Sequence, residues 1–391
     1  MKKTCIVNND FTPWELLRAV APGSCGDKPL EQLLKEFLGG RSCGLTSCGF
    51  AALEILLRAL KEKSPEKTEV IIPAYTAPGL VLPIQKCGLR VKLCDVSLET
   101  FVAGTEQILP HVNGKTLAVI AVHTFGIPTD VHKLMAAAGS DTAIIEDCAQ
   151  CLGTETGGQP AGTIAPYSFG SFGRGKNLSF YHGGFFSVAT GHGGAAPWQH
   201  TNALTPPPLS VQLKTLAKAA LFSLAVEPHI YPFTSPLTAR LKSRRQQSAY
   251  DITAFGDMLA RRCAGIFRCW QKHYRRRIEN GKLLHCGLGS AAGVTMPHYP
   301  DGSLVAFNRF PVMAANTRHR EKLIAALASR GIEASAMYER PVYAFYNMDY
   351  DIPGPPFAGE LAGRLVTLPV HGMAGTREIE IIINTFKKVL P

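Results

Sequence analysis

Four short apolar, β-branched runs follow one another in the first half of the chain, Glu69-Val-Ile-Ile-Pro73, Arg90-Val-Lys-Leu-Cys94, Thr116-Leu-Ala-Val-Ile-Ala-Val122 and Ala143-Ile-Ile-Glu146. Before and between them lie segments with a helical period, such as Glu31 to Phe37 and Phe50 to Lys61, where Leu53, Leu56, Leu57 and Leu60 recur at turn spacing. Alternation of this kind predicts βαβ units, a mostly parallel sheet and helices on both of its faces. Ligand-binding residues are then expected where the strands end.

The chain has 391 residues, enough for two or three domains, and its 46% hydrophobic and 18% charged residues argue against extensive disorder. The texture changes near Gly191, where Gly-His-Gly-Gly-Ala-Ala-Pro and Thr205-Pro-Pro-Pro208 break the alternation. We therefore expect a large α/β domain over 1–200, an inserted apolar and basic segment over 201–250, and a linking helix with a smaller α/β domain over 251–391. Within the last part a long helical pattern runs from about Ile252 to Leu284. Ser303 to Val312 and Ile332 to Tyr338 read as strands, and Arg318 to Arg330 and Arg377 to Val389 as helices.

Two lysines open the chain but no apolar stretch follows, which argues against a cleaved secretory signal. The apolar stretch Ala219 to Val226 is far short of the roughly 20 residues that cross a bilayer. Eleven cysteines, mostly inside apparent strands and helices, suit a reduced, cytoplasmic chain. Cys148 and Cys151 form a CxxC without a second pair or a histidine cluster beside it, and no metal site is expected. The net charge of +11 is concentrated in Arg240 to Lys282, where twelve Lys and Arg face Asp251, Asp257 and Glu279. Such a field attracts phosphates on a substrate, a lipid or a nucleic acid. Phe267, Trp270 and Tyr274 recur there like a buried helix face, which argues against nucleic acid.

Three features bear on chemistry. Thr46-Ser47-Cys48-Gly49 leads directly into the helix at Phe50, and a helix start with a glycine lead offers backbone N–H groups to a phosphate. Asp147 ends an apolar strand, where a carboxylate points either into a ligand crevice or onto a helix cap. Lys176 lies in the small-residue turn Ser171-Phe-Gly-Arg-Gly-Lys176-Asn. Pyridoxal phosphate (PLP) needs all three: amides for its phosphate, a carboxylate that keeps its ring nitrogen protonated, and a lysine that attaches to its aldehyde.

With Ala51-Ala-Leu53, Val70-Ile-Ile-Pro-Ala-Tyr-Thr76, Val122-His-Thr-Phe-Gly-Ile-Pro128, Ile145-Glu-Asp-Cys-Ala-Gln150, Lys176-Asn-Leu178, Gly183-Gly184 and Leu368-Pro369, the chain resembles the DegT/DnrJ/EryC1/StrS family of PLP-dependent sugar aminotransferases. The resemblance implies the PLP-dependent transferase fold of type I, a homodimer, and PLP as cofactor. It makes Lys176 the cofactor-bearing lysine and the acid/base, Asp147 the partner of the pyridine nitrogen, and Gln150 the partner of the ring hydroxyl. Cys48, Gly49, Phe50 and Ser171 take the phosphate positions, and Ala77 falls where an aromatic residue commonly stacks on the ring. The family usually has Ser-Gly-Thr in place of Cys48-Gly49-Phe50, so phosphate binding here leans on backbone N–H groups and Ser171. His182 stands where an acidic residue usually precedes the Gly-Gly pair. The Asn-containing segment through which a neighbouring subunit reaches the phosphate has no counterpart near Gln247 to Thr253.

The implied reaction moves an amino group from an amino acid, L-glutamate in the family, to a keto group of a nucleotide-activated sugar or similar carbonyl compound. Family dehydratases replace the lysine that this chain keeps. Two alternatives remain: transamination of a lipid-linked carbonyl, with residues 209–245 touching an anionic membrane at its inner face, and a non-catalytic binding or regulatory protein on the same fold.

Overall fold

The computed structural model describes residues 2–21, 23, 28–192, 194–236, 249–289, 291–346 and 356–389. A seven-stranded sheet forms from β1 (Ser42–Thr46), β2 (Glu69–Pro73), β3 (Arg90–Cys94), β4 (Thr116–Val122), β5 (Ala143–Asp147), β8 (Tyr167–Ser171) and β9 (Gly184–Val188), in the order β1-β9-β8-β5-β4-β2-β3, with a separate two-stranded ribbon of β6 (Glu155–Thr156) and β7 (Gln159–Pro160). The pairings β3-β2-β4-β5-β8 are parallel, and β9 runs antiparallel to both β8 and β1. β2 and β4 are buried at every residue, which is why their sequences are continuous apolar runs. The helix Gly49–Lys63 lays Leu53, Leu56, Leu57 and Leu60 into this core, as their spacing predicts.

This topology brings four segment ends to one place. β1, β5 and β8 finish at the same end of the sheet, where the antiparallel β9 begins. The helix Gly49–Lys63 starts there against β8 and β9. A Cβ on Gly184 would lie 2.4 Å from the carbonyl carbon of Cys48 and the nitrogen of Gly49, and one on Gly49 would lie 3.0 Å from Cβ of Ser171. Only glycine permits so close an approach of helix start and sheet.

A smaller antiparallel sheet, β10 (Val294–Thr295), β11 (Phe310–Ala314) and β12 (Leu365–Leu368), carries the helices Thr317–Ala328 and Thr376–Val389. The N-terminal segment joins this part, with Thr4 bridging Ile332 and Asp10 paired in full burial with Arg277 at 2.7 Å. The long helical pattern after Ile252 is two helices, Asp257–His273 and Arg275–Leu288. Phe267, Trp270 and Tyr274 are buried around Phe37. Two expected strands are shorter than the pattern suggests. Residues 303–309 direct their backbone to other partners: Leu304 pairs with Glu155 and the Asn308 N–H donates to the Phe125 carbonyl. Ile332 to Tyr338 makes isolated bridges and turns through a left-handed Met337. The segment Leu209–Ala225 is one helix. Among the described residues no helix is long and apolar enough to cross a membrane. Arg240, Lys242, Arg244, Arg245 and Gln247 lie outside the described residues.

Candidate active site

At the shared end of β1, β5, β8 and β9 lies a cavity of about 680 Å³. Cys48, Gly49, Phe50, Ala77, Asp147, Gln150, Ser171 and Lys176 all line it. These eight residues come from four separate segments of the sequence, and the fold brings them to one space.

Lys176 hangs from the turn between β8 and β9, which is closed by a hydrogen bond from its own N–H to the Gly173 carbonyl. Two asparagines hold this turn. Asn177 donates to the carbonyls of Leu152 and Ala306, and Asn308 donates to the Gly175 carbonyl at 2.7 Å and to Asn177 Oδ1 at 3.1 Å. Lys176 Nζ itself makes no hydrogen bond or ion pair among the described residues. Burial pushes its pKa below the usual lysine value; Asp147 opposes that shift and Arg309 adds to it. A less basic, unpartnered amine facing a cavity is a nucleophile in waiting.

Asp147 is buried, and its Oδ1 accepts the Ala149 N–H at 2.9 Å. Burial raises its pKa, with Lys176 the strongest opposing influence. Gln150 is fixed at both ends of its amide: Oε1 accepts the Phe125 N–H at 3.0 Å and Nε2 donates to the Tyr338 hydroxyl at 3.2 Å. Ser171 Oγ accepts the Gly173 N–H, which leaves its hydroxyl hydrogen to donate. Cys48 is the N-cap of the helix Gly49–Lys63; its side chain makes no full cap bond, and its thiol lies beside the Phe50 and Ala51 N–H groups as a weak acceptor only. Burial raises the Cys48 thiol pKa.

Tyr75 does not reach over the site. It is buried, with its hydroxyl against the carbonyls of Ala336 and Tyr338, and it ties the large sheet to the small one. The lining also holds Tyr181, in a left-handed backbone conformation, and His182, which stacks on Phe255. Ala249 lines the cavity as well, and Ser47 anchors that segment through bonds with Asp251 and Thr253.

Four residues at or beside the site escaped the sequence reading: Arg309, Tyr338, Asn308 and His123. Arg309 is half-buried, donates to Ser335 at 3.0 Å, and has a buried Nε without a partner. A lone arginine within the apolar Phe307-Asn-Arg-Phe-Pro-Val312 was the available signal. His123 comes close to Cys148 and Cys151, with potential ligand atoms within 4.8 Å, a proximity that the CxxC alone did not suggest. Both ring nitrogens are engaged: Nδ1 accepts the Thr129 N–H at 3.0 Å, so Nε2 carries the hydrogen toward Glu146 at 3.1 Å.

The donor set fits PLP. Weakly capped helix amides and the Ser171 hydroxyl suit a phosphate, Asp147 retains an oxygen for a ring nitrogen, and Lys176 offers a free amine for an aldehyde.

The profile of the DegT/DnrJ/EryC1/StrS aminotransferase family matches residues 26–192 and 267–387. The chain belongs to this family. GDP-perosamine synthase of Vibrio cholerae is 31% identical over 150 residues, 38% of this chain and 40% of that protein. A second relative, named erythromycin biosynthesis sensory transduction protein EryC1, of Saccharopolyspora erythraea, is 24% identical over 88% of this chain and 85% of its own length. Spr1654 of Streptococcus pneumoniae, solved in a PLP form, superposes with a TM-score of 0.72 at 20% identity, covering 99% of this chain and 98% of that one. That likeness establishes the shared fold.

Proposed function

We propose that this chain is a PLP-dependent aminotransferase that moves an amino group from L-glutamate to a keto group of a nucleotide-activated sugar or similar carbonyl compound, as a homodimer in the cytoplasm. The observation that carries the reading is Lys176 Nζ, unpartnered and opening onto the cavity that Asp147 and the first amides of the helix Gly49–Lys63 share. PLP, when bound, supplies an electron sink that makes the hydrogen on the carbon bearing nitrogen removable. Asp147 keeps a proton on the ring nitrogen, and the Ala149 N–H holds that carboxylate in place. Gln150, a neutral partner locked by Phe125 and Tyr338, positions the ring hydroxyl without fixing its charge. The helix amides and Ser171 anchor the phosphate. Lys176 Nζ would take the proton from the donor carbon and return it on the other side of the exchange; burial, which lowers its pKa, favours the unprotonated form that a base needs.

Relatives named for GDP-perosamine synthesis support a nucleotide-sugar acceptor, although the match to that synthase spans under half its length. A second reading keeps the chemistry and changes the acceptor to a lipid-linked carbonyl. It is favoured by leucines left exposed on the helix Leu209–Ala225. The test is to incubate purified, PLP-loaded protein with nitrogen-labelled glutamate and a small-molecule pool, and to read the labelled amine by mass spectrometry. A cofactor absorption band that glutamate shifts, with a labelled product, supports the proposal. The complete absence of a cofactor band favours a non-catalytic binding protein.

A further inference from the structure

The helix Leu209–Ala225 has two unlike sides. On one, Gln212, Ala219 and Ser223 are buried. Phe222 packs at 5.5 Å from Tyr181, with Arg174 over its ring at 6.0 Å, and both of those residues line the cavity. Lys218 lies near enough to His182, another lining residue, to act on its charge. The helix therefore packs behind part of the cavity's lining.

The other side has no cover among the described residues. Leu209, Leu213, Leu221 and Leu224 are 60%, 54%, 66% and 42% exposed. At 3.6 residues per turn they fall on one arc of about 120°. Lys214 and Lys218, both exposed, lie beside that arc. The next turn adds Ile230 and an 84% exposed Phe233. Apolar patches of this extent mark contact surfaces.

The charge pattern selects the occupant. The charged residues of the helix Leu209–Ala225 are Lys214 and Lys218, and it holds no acid. A second copy meeting this face across a two-fold axis would bring the same lysines and no compensating acid, and lysine is depleted in the cores of protein interfaces. An apolar arc edged by lysines is what lying on an anionic bilayer requires. We propose that this face docks on an anionic lipid surface.

The test is flotation of the PLP-loaded, full-length protein with vesicles of phosphatidylcholine and phosphatidylglycerol in a three-to-one mixture, against phosphatidylcholine alone. The protein is expected to float with the anionic vesicles in about 0.05 M salt and to leave them in about 0.5 M, where charges are screened within a few ångströms. The variant L213S/L221S should bind at least about tenfold more weakly, and K214E roughly several-fold more weakly, each with an unchanged sedimentation coefficient. The proposal is overturned if the parent stays unbound at low salt, or if L213S/L221S floats as well as the parent. It is equally overturned if L213S/L221S splits a dimer, for then a second copy covers the face. The cofactor band of the same samples reports the aminotransferase reading separately.

Discussion

Glu146 and Asp147 are consecutive on β5, yet they do opposite things. Strand alternation sends their side chains to opposite faces. The Glu146 carboxylate accepts N–H groups from Gly162, Ile164 and Ala165 at 2.8 to 2.9 Å, as well as the hydrogen of His123. Those bonds hold its pKa below the usual range although burial alone would raise it. Asp147 has one backbone donor and a lysine across a cavity, and its pKa is raised. One carboxylate is saturated and structural. The other keeps bonding capacity that the folded chain does not fill, and an unfilled buried acceptor in a cavity is capacity available to a ligand.

The sharpest break of this contrast comes from the amine opposite. Lys176→Ala should abolish the cofactor's covalent attachment and lower turnover by about ten-thousandfold, roughly 5.5 kcal/mol of barrier. In the parent, borohydride reduction and peptide mapping should find the pyridoxyl group on Lys176; a label on another lysine removes it from the role.

Glu146→Ala strands three amides and a buried histidine, and should cost about 3–5 kcal/mol of stability by denaturant unfolding. A loss below about 1 kcal/mol would mean that the saturated corner is not structural.

Asp147→Asn should keep the fold and lose turnover by roughly a hundredfold, about 3 kcal/mol of barrier. Near-normal kcat would erase the distinction between the two carboxylates. The same variant separates them by pH in the cofactor-free protein. Because folding raises the Asp147 pKa above its ordinary 3.8, its contribution to stability is full below that value and is lost as pH rises through the raised one. Relative to the parent, the Asn variant should therefore gain melting temperature with rising pH across that window and hold the gain above it. For Glu146, whose pKa is lowered, the sign reverses: its contribution is present above the ordinary value and fades as pH falls through the lowered one.

The smallest effect concerns the helix start. Cys48→Ser supplies the missing cap oxygen and should add about 1 kcal/mol of stability, with a few-fold tighter cofactor binding read by dialysis. Weaker binding would show that the thiol position is not a phosphate position.

Much of this was legible in the sequence. The apolar runs that became β2, β3, β4 and β5 declare themselves through local pattern, because burial on both faces demands continuous apolar residues. Lys176, Asp147 and the Cys48-Gly49 lead were visible because each sits at the end of a strand or the start of a helix, which short-range pattern locates. The strands expected over 303–312 and 332–338 were overdrawn for a related reason. Apolar alternation marks burial, and those residues are buried against loops and the Lys176 turn as much as against a sheet.

What tertiary structure decided is where distant segments meet. The Asn177–Asn308 clamp spans 131 positions, and Gln150 meets Tyr338 across 188. No local period encodes such contacts, since they exist only once the small sheet closes on the large one. The exposed leucines of the helix Leu209–Ala225 teach the same lesson from outside. Sequence determined that this helix is apolar and edged with lysine. Only packing decided that Phe222 faces the cavity wall while Leu213 and Leu221 face outward, because a helix apolar on more than one side turns inward whichever face its neighbours can bury.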